Sequence, residues 1–348
     1  MQTHRLVMVT VAAVAALLVR GGATDEAAAR RPSGPRSVHR EGRVPQLPVK
    51  DYGIGIAYYS VRGNLQTRLT LNNKGPNLLT PTVTLYARDG RGYSSGPIAI
   101  AGRTFADVDL RDLVAAAGDG FEDGSLRVSY TGRALELGGL LTMTNPENGT
   151  EWHDQLMYPG SARSTRLEGV WWLPNEVTTG RLVVTNTTRD PVEVTVTFTG
   201  TRPVPRTESF ALGPWQLQVL DFGKPEEPGQ GPRDGLLGGI TIDYTGAPGA
   251  VAARGFVLDG QRGFSAVVPL TDPAEAKTAS YHAGGVRVLP IDGVAVEPVI
   301  VARNAGAATV TVTGRLQVTG PGDEVTAVEL APVGIGPGET TAIDGRAA

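Results

Sequence analysis

Three stretches of this chain are versions of one another. They are QTRLTLNN with TVTLYAR (66–88), RLVVTN with VEVTVTF (181–198), and VIVARN with the alternating run at 309–316. Each has a first alternating apolar–polar run that ends on asparagine, a turn, and a second alternating run. Period two marks a half-buried strand, because successive side chains point to opposite faces. The terminal residues Asn73, Asn186 and Asn304 lie 113 and 118 residues apart. Solenoid repeats are far shorter, roughly 20–50 residues, so the spacing points to whole domains copied in tandem.

The rest of the block recurs in the same order. IAIAGRTFADVDL (98–110) lies over FALGPWQLQVLDF (210–222) without a gap, and GSLRVSYTG (124–132) lies over GGITIDYTG (238–246). IGPGETTAID (335–344) repeats the segment 212–221, so Asp109, Asp221 and Asp344 share one place, which suits a cap or a turn acceptor. Gly and Pro number 46 and 25, and both punctuate turns between short strands while breaking helices. One helix is expected, over 111–117. The fold class read from this pattern is all-β: tandem β-sandwich domains, Ig-like or jelly-roll, two complete and one partial. The expected divisions are a signal peptide at 1–23, a disordered Arg/Pro-rich linker at 24–50, and sandwich repeats at 51–160, 161–275 and, in part, 276–348. The third copy reaches Ala348 with no counterpart of GSLRVSYTG. An open edge and an uncovered apolar face would follow, so the expectation is a longer protein.

His4 and Arg5 precede an unbroken apolar run at 6–19, followed by small residues. That is the pattern of a secretory signal peptide, and the run is too short to cross a bilayer as a helix. The segment after it holds Arg30, Arg31, Arg36, Arg40 and Arg43 without interleaved aromatics, which reads as a solvated linker. No other run approaches spanning length, so no membrane span is expected in the exported chain. A net charge of −3, with arginines scattered along the chain, argues against nucleic acid as a partner. Cysteine is absent, which removes disulfides, thiolate metal sites and cysteine nucleophiles, and fits a bacterial exported protein.

A resemblance rests on the residues at 183–186, 213–221, 238–246 and 253–256. The TN-ended hairpin, the Gly-Pro strand ending in Asp, G-x-I-x-x-x-Y-x-G and the A-R-G-F strand resemble uncharacterised secreted bacterial proteins of tandem β-sandwich repeats. The resemblance implies a secreted or cell-surface module without an established activity, and carries over no catalytic residues.

Chemistry-bearing residues are few. Gly92-Tyr93-Ser94-Ser95-Gly96 has the G-x-S-x-G form, but a nucleophile elbow needs a helix after the serine, and a strand is expected there. His39, His153 and His282 are isolated, and His153 and Asp154, as strand neighbours, point apart. Asp119, Glu122 and Asp123 form an acidic, glycine-rich loop of the kind calcium uses, without EF-hand spacing. No cofactor is expected. Among the aromatics, Trp172 aligns with Tyr58 and Val288, and Trp171 with Ala57 and Arg287. Trp172 is therefore expected in the core and Trp171 outward, free to stack on a sugar or on a neighbouring domain. The function expected is an exported structural, adhesive or display module without catalysis, its partner a cell-surface protein or a glycan. The alternative is a carbohydrate-binding protein or the accessory region of a carbohydrate-active enzyme.

Overall fold

The computed structural model describes residues 17–18, 49–173, 177–200, 206–222, 236–259, 264–274, 299–319 and 325–344. The expected signal peptide and linker fall almost wholly outside these, as do His39, His282, Arg287 and Val288. Among the described residues the chain is all-β with one α-helix, and no helix is long and apolar enough to cross a membrane.

The first block holds β1 (Lys50–Ser60), β2 (Gln66–Asn73), β3 (Thr82–Ala87), β4 (Gly92–Ser94), β5 (Phe105–Asp109), α1 (Leu110–Ala117), β6 (Asp123–Gly132), β7 (Leu137–Asn145) and β8 (Thr150–Gln155). The second holds β9 (Arg166–Leu173), β10 (Thr179–Asn186), β11 (Val192–Gly200), β12 (Arg206–Leu212), β13 (Leu217–Phe222), β14 (Leu236–Tyr244), β15 (Val251–Asp259) and β16 (Phe264–Pro269). The first forms antiparallel sheets ordered β1-β6-β3-β4 and β5-β2-β7-β8; the second forms β9-β14-β11-β12 and β13-β10-β15-β16. The order is the same with every number raised by eight.

The third block has β17 (Val299–Arg303), β18 (Val310–Val312), β19 (Arg315–Thr319), β20 (Val325–Glu329), β21 (Val333–Ile335) and β22 (Thr340–Asp344). Its pairs are β17–β22, β18–β21 and β19–β20, and a two-residue strand, Leu17–Leu18, runs parallel to β17. The β2–β5 register, Arg68 opposite Asp109, recurs as Arg181 opposite Asp221 and Val299 opposite Asp344.

Alternation sets the burial. In β2, Thr67, Leu69, Leu71 and Asn73 point inward while Arg68 and Asn72 are exposed. Both sheets of the first block feed one apolar cluster, including Ile54, Leu69, Leu71, Leu85, Val128 and Leu141; the second block does likewise with Leu182, Val184, Val194, Val196, Ile240 and Ile242. Each such side chain contributes about 1.5–3 kcal/mol on burial. The helix forms where expected, because Asp109 caps it by accepting from the Arg111 amide at 2.9 Å. Two local expectations fail. Gly92–Ser94 is itself a short strand, and where a strand was expected after it, 97–101 keeps the isolated bridge of Leu79 with Ile100 and one bond from the Ile98 amide to the Pro81 carbonyl. Pro81 and Pro97 have no N–H to give, which interrupts a ladder there.

The three asparagines are the fixed points of this arrangement, and each is wholly buried. Asn73 Nδ2 donates to the carbonyls of Asn77 (2.6 Å) and Ile100 (3.0 Å), and its Oδ1 accepts from the Gly75 amide (3.0 Å). Asn186 repeats this with Asp190 (2.8 Å), Gly213 (2.9 Å) and the Thr188 amide (2.9 Å). Asn304 repeats it with Ala308 (2.7 Å), Ile335 (2.9 Å) and the Gly306 amide (2.9 Å). The backbone N–H of each reaches the next turn, at Thr104, Gln216 and Glu339. A primary amide alone among short side chains offers two donors beside an acceptor, so it closes its own turn and fastens a second one.

Asn186→Ala and Asn186→Asp are each expected to cost about 2–4 kcal/mol, because both strand buried carbonyls without a donor. Urea denaturation checks this. An aspartate variant as stable as the native chain would show that the donors do not matter.

Candidate functional site

The most heavily built polar and aromatic assembly lies where the second block meets the first. Phe256 of β15 projects from its sheet into the first block, 5.5 Å from Tyr58 and 6.5 Å from Trp152, edge-on to the indole. Val183 and Leu217 join the same apolar cluster. Around this patch run directional bonds. Thr185 Oγ1 donates to the Ala57 carbonyl at 2.7 Å, and Ser265 Oγ to the Glu151 carbonyl at 2.6 Å. Arg254 Nε lies 2.7 Å from Asp154 Oδ1, with the two side chains 12% and 3% exposed. Burial pushes the Asp154 carboxyl up, while Arg254 pulls it down. A pair this secluded specifies geometry more than it adds stability, because desolvation offsets the attraction.

At the rim, the 213–216 turn sits on the β3–β4 turn. The Trp215 ring stacks on Tyr86, centroids 4.6 Å apart and planes 8° from parallel, with the Arg127 guanidinium 5.5 Å from the indole centroid. The Gln216 amide and the Leu217 N–H donate to the carbonyls of Asp89 and Arg88. Trp215 has φ +60, the left-handed conformation, and so does its aligned residue Arg103 (φ 60); in the third block the place is taken by Gly338 (φ 71). A cation over a stacked ring pair adds attraction beyond area burial.

The second and third blocks meet differently. Arg303, aligned with Thr185, is buried against Gly239 and lies 3.4 Å from Thr241 Oγ1. Burial lowers its pKa, and the buried Glu168 opposes that. Glu168 in turn pairs with Arg166 at 3.0 Å. The segment linking the first two blocks is pinned by Asp272, whose carboxylate accepts from the amides of Arg163 (2.5 Å), Ser164 (2.9 Å) and Ala274 (2.8 Å) and from the Ser164 hydroxyl. Burial raises its pKa, but these donors outweigh that and hold it at about 2.

The structure reverses the orientation expected of the tryptophans. Trp171 is 2% exposed, inside the second block against Phe222 at 5.7 Å, and Trp172 is half-buried on the other face. The flanking Leu167 and Leu173 also point into this core, so alternation takes Trp171 with them. Gly200 and Gly238 make room: a Cβ at Gly238 would lie 2.7 Å from the indole. The ladders correct the alignment as well: Trp171 lies opposite Gly238 as Tyr59 lies opposite Gly124, so the buried Tyr59, and not Ala57, is its counterpart, the bulge between Ile56 and Tyr59 inserting one extra residue. A ring so enclosed presents no face to a sugar.

The acidic loop does not converge. Asp123 is fully buried, and its carboxylate takes Arg62 Nε at 2.8 Å and Arg88 Nε at 2.7 Å. Two guanidiniums already balance that charge. Glu122 is turned to the backbone, and bonds from its own amide and that of Gly120 lower its pKa. Asp119 is exposed. Among the described residues no three acidic or histidine side chains are grouped to hold a metal.

Ser94 lies on β4 beside Thr84, 2.9 Å between hydroxyl oxygens, with no helix following. His153 and Asp154 point apart as expected. Sequence reading missed the partners His153 does have: Glu151, two residues away on its own face, at 2.6 Å from Nε2, and Thr142 across the ladder at 3.1 Å from Nδ1. The three lie on an open sheet face, His153 and Glu151 each about half exposed. The i,i+2 spacing in an alternating strand was the signal that could have found the Glu151 contact.

No family model matches the chain, and neither a curated protein nor a solved structure does.

Replacing Arg254 by Ala strands Asp154 and is expected to cost about 3–5 kcal/mol near neutral pH. Without the guanidinium the carboxyl rises further, so the folded variant favours the protonated form, and its penalty shrinks as pH falls; denaturation at about pH 5 and about pH 8 reads this. Asp272 acts with the opposite sign. Its folded pKa is depressed from 3.8 to about 2, so its contribution is present above 3.8 and is lost as pH falls toward about 2. Asp272→Asn should flatten that acid limb in a thermal melt series.

Proposed function

We propose that this chain is an exported structural module of tandem β-sandwich blocks, two complete and one partial, with divisions near 51–160, 161–275 and 276–348. It works by spacing and by surface contact, as an adhesive or display element at the bacterial surface, and not by chemistry. Export is supported by the basic start and apolar run of its first 23 residues. The single observation that carries the mechanical reading is the first junction, where Arg254–Asp154, Phe256 and the Trp215–Tyr86 stack join the outer face of the second block to the apolar cluster of the first. Interfaces between domains that move freely are smaller and more polar. The shared sheet order supports sandwich blocks, but it departs from the immunoglobulin constant order, in which the first strand lies beside the second. Here it lies beside the sixth, with β1 next to β6 and β9 next to β14.

A rigid spacer predicts that the first two blocks melt together. Gly90 has φ +88, and a Cβ there would lie 2.2 Å from the Pro214 carbonyl oxygen, so Gly90→Ala wedges the junction open. Calorimetry is expected to show one transition for the two blocks in the native chain and two in Gly90→Ala. Small-angle scattering should broaden correspondingly. Independent melting of the blocks in the native chain would sink the spacer reading.

A further inference from the structure

One end of the first block gathers most of the large exposed apolar side chains among the described residues. Lys50 pairs with Gly132, Asn73 with Leu137, and Phe105 with Asn72, which places the loops 74–81, 95–104 and 133–136 together. Leu78 is 62% exposed, Phe105 68%, Leu135 62%, and Val49, just before β1, 65%. Of the large apolar side chains exposed among the described residues, only Val177 lies elsewhere. Leu135 holds φ +62, a conformation sparsely populated by leucine, and no burial of its own side chain rewards it.

Cations collar these tips: Lys50, Lys74, Arg103 and Arg133, against Asp51 and Glu136. The chain also enters here from the segment that carries Arg30, Arg31, Arg36, Arg40 and Arg43.

The same end of the second block docks on the first, with Leu217 in the place of Phe105 and an apolar face of Val183, Val219 and Phe256 behind it. In the first block those places hold Thr70, Asp107 and Thr142, already bonded to neighbours: Thr70 to Asp107 at 2.5 Å, Thr142 to His153 at 3.1 Å. A block-sized protein contact, burying about 800 Å² per partner, has no apolar face to use there. Separate apolar tips inside a basic collar suit a lipid interface, where the tips enter the headgroup–acyl boundary and the cations meet phosphates.

We propose that this end of the first block docks on an anionic phospholipid surface, with Leu78, Phe105 and Leu135 inserted and Lys74 and Arg103 on the headgroups. The contact is peripheral and independent of the spacer reading; each can fail without the other.

The test is co-sedimentation of the full chain with vesicles of phosphatidylcholine containing about 30 mol% phosphatidylglycerol, beside vesicles of phosphatidylcholine alone. The comparison is with the triple variant Leu78→Ser, Phe105→Ser, Leu135→Ser, which keeps the same N-terminal apolar run, so that run contributes equally to both. Partition of the native chain onto anionic vesicles is expected to exceed that of the variant about tenfold, and to fall steeply between about 0.1 and 0.5 M NaCl. Lys74→Gln with Arg103→Gln should weaken binding to anionic vesicles alone. Unchanged thermal melts would show that all variants fold, as expected for exposed positions. Equal partition of native chain and triple variant, or binding indifferent to salt, overturns the proposal. So does self-association in analytical ultracentrifugation that the triple variant abolishes while vesicle binding stays equal, which would assign the surface to a second copy.

Discussion

A buried primary amide, placed at the end of one strand in each block, is the contact on which the remainder of this chain depends. Asn73, Asn186 and Asn304 each close a turn and fasten the turn that leads into the strand alongside. With those two turns set, the register of the next pairing is set too, and it is the same at Arg68–Asp109, Arg181–Asp221 and Val299–Asp344. A slip of one residue would turn every apolar side chain of these strands to the wrong face. The amide therefore acts as a register pin. Its burial explains why asparagine stands where the alternation would otherwise place another leucine.

The blocks differ where they meet one another. The outer face of β10, β13 and β15 carries Val183, Val219 and Phe256 and is covered by the first block. The matching face of β2, β5 and β7 carries Thr70, Asp107 and Thr142 and satisfies itself with hydrogen bonds in solvent. Identical strand order thus supports opposite surfaces, because outward positions are free to vary once inward ones fill the core. The two junctions also use different residues at aligned places, Thr185 at one and Arg303 at the other. Each block is matched to its own neighbour, which fixes the order of the array as well as its shape.

Much of this was legible from residues alone, and for a definite reason. Strand positions follow from a period-two pattern that is local, so 66–73, the short helix after Asp109 and the repeat of about 115 residues could all be read directly. The polar character of Asp119 and Glu122 and the isolation of His153 from Asp154 were readable for the same reason. Reading failed where a side chain's fate depends on what lies across a gap. Trp171 goes inward with Leu167 and Leu173, but the copy it was compared with carries a bulge between Ile56 and Tyr59 that only the pairing with the neighbouring strand reveals. Asp123 is claimed by Arg62 and Arg88, from loops 61 and 35 residues away.

The sequence by itself determined most of the strands, the inward faces where alternation is unbroken, as in 66–73, and the copying of the block, because each depends only on neighbours along the chain. Only the tertiary structure decided the sheet order, the pairing of Arg254 with Asp154, the stacking of Trp215 on Tyr86, and the gathering of exposed apolar tips at one end of the first block. Those are meetings of residues distant in the chain, and nothing in the spacing of either partner encodes the approach of the other.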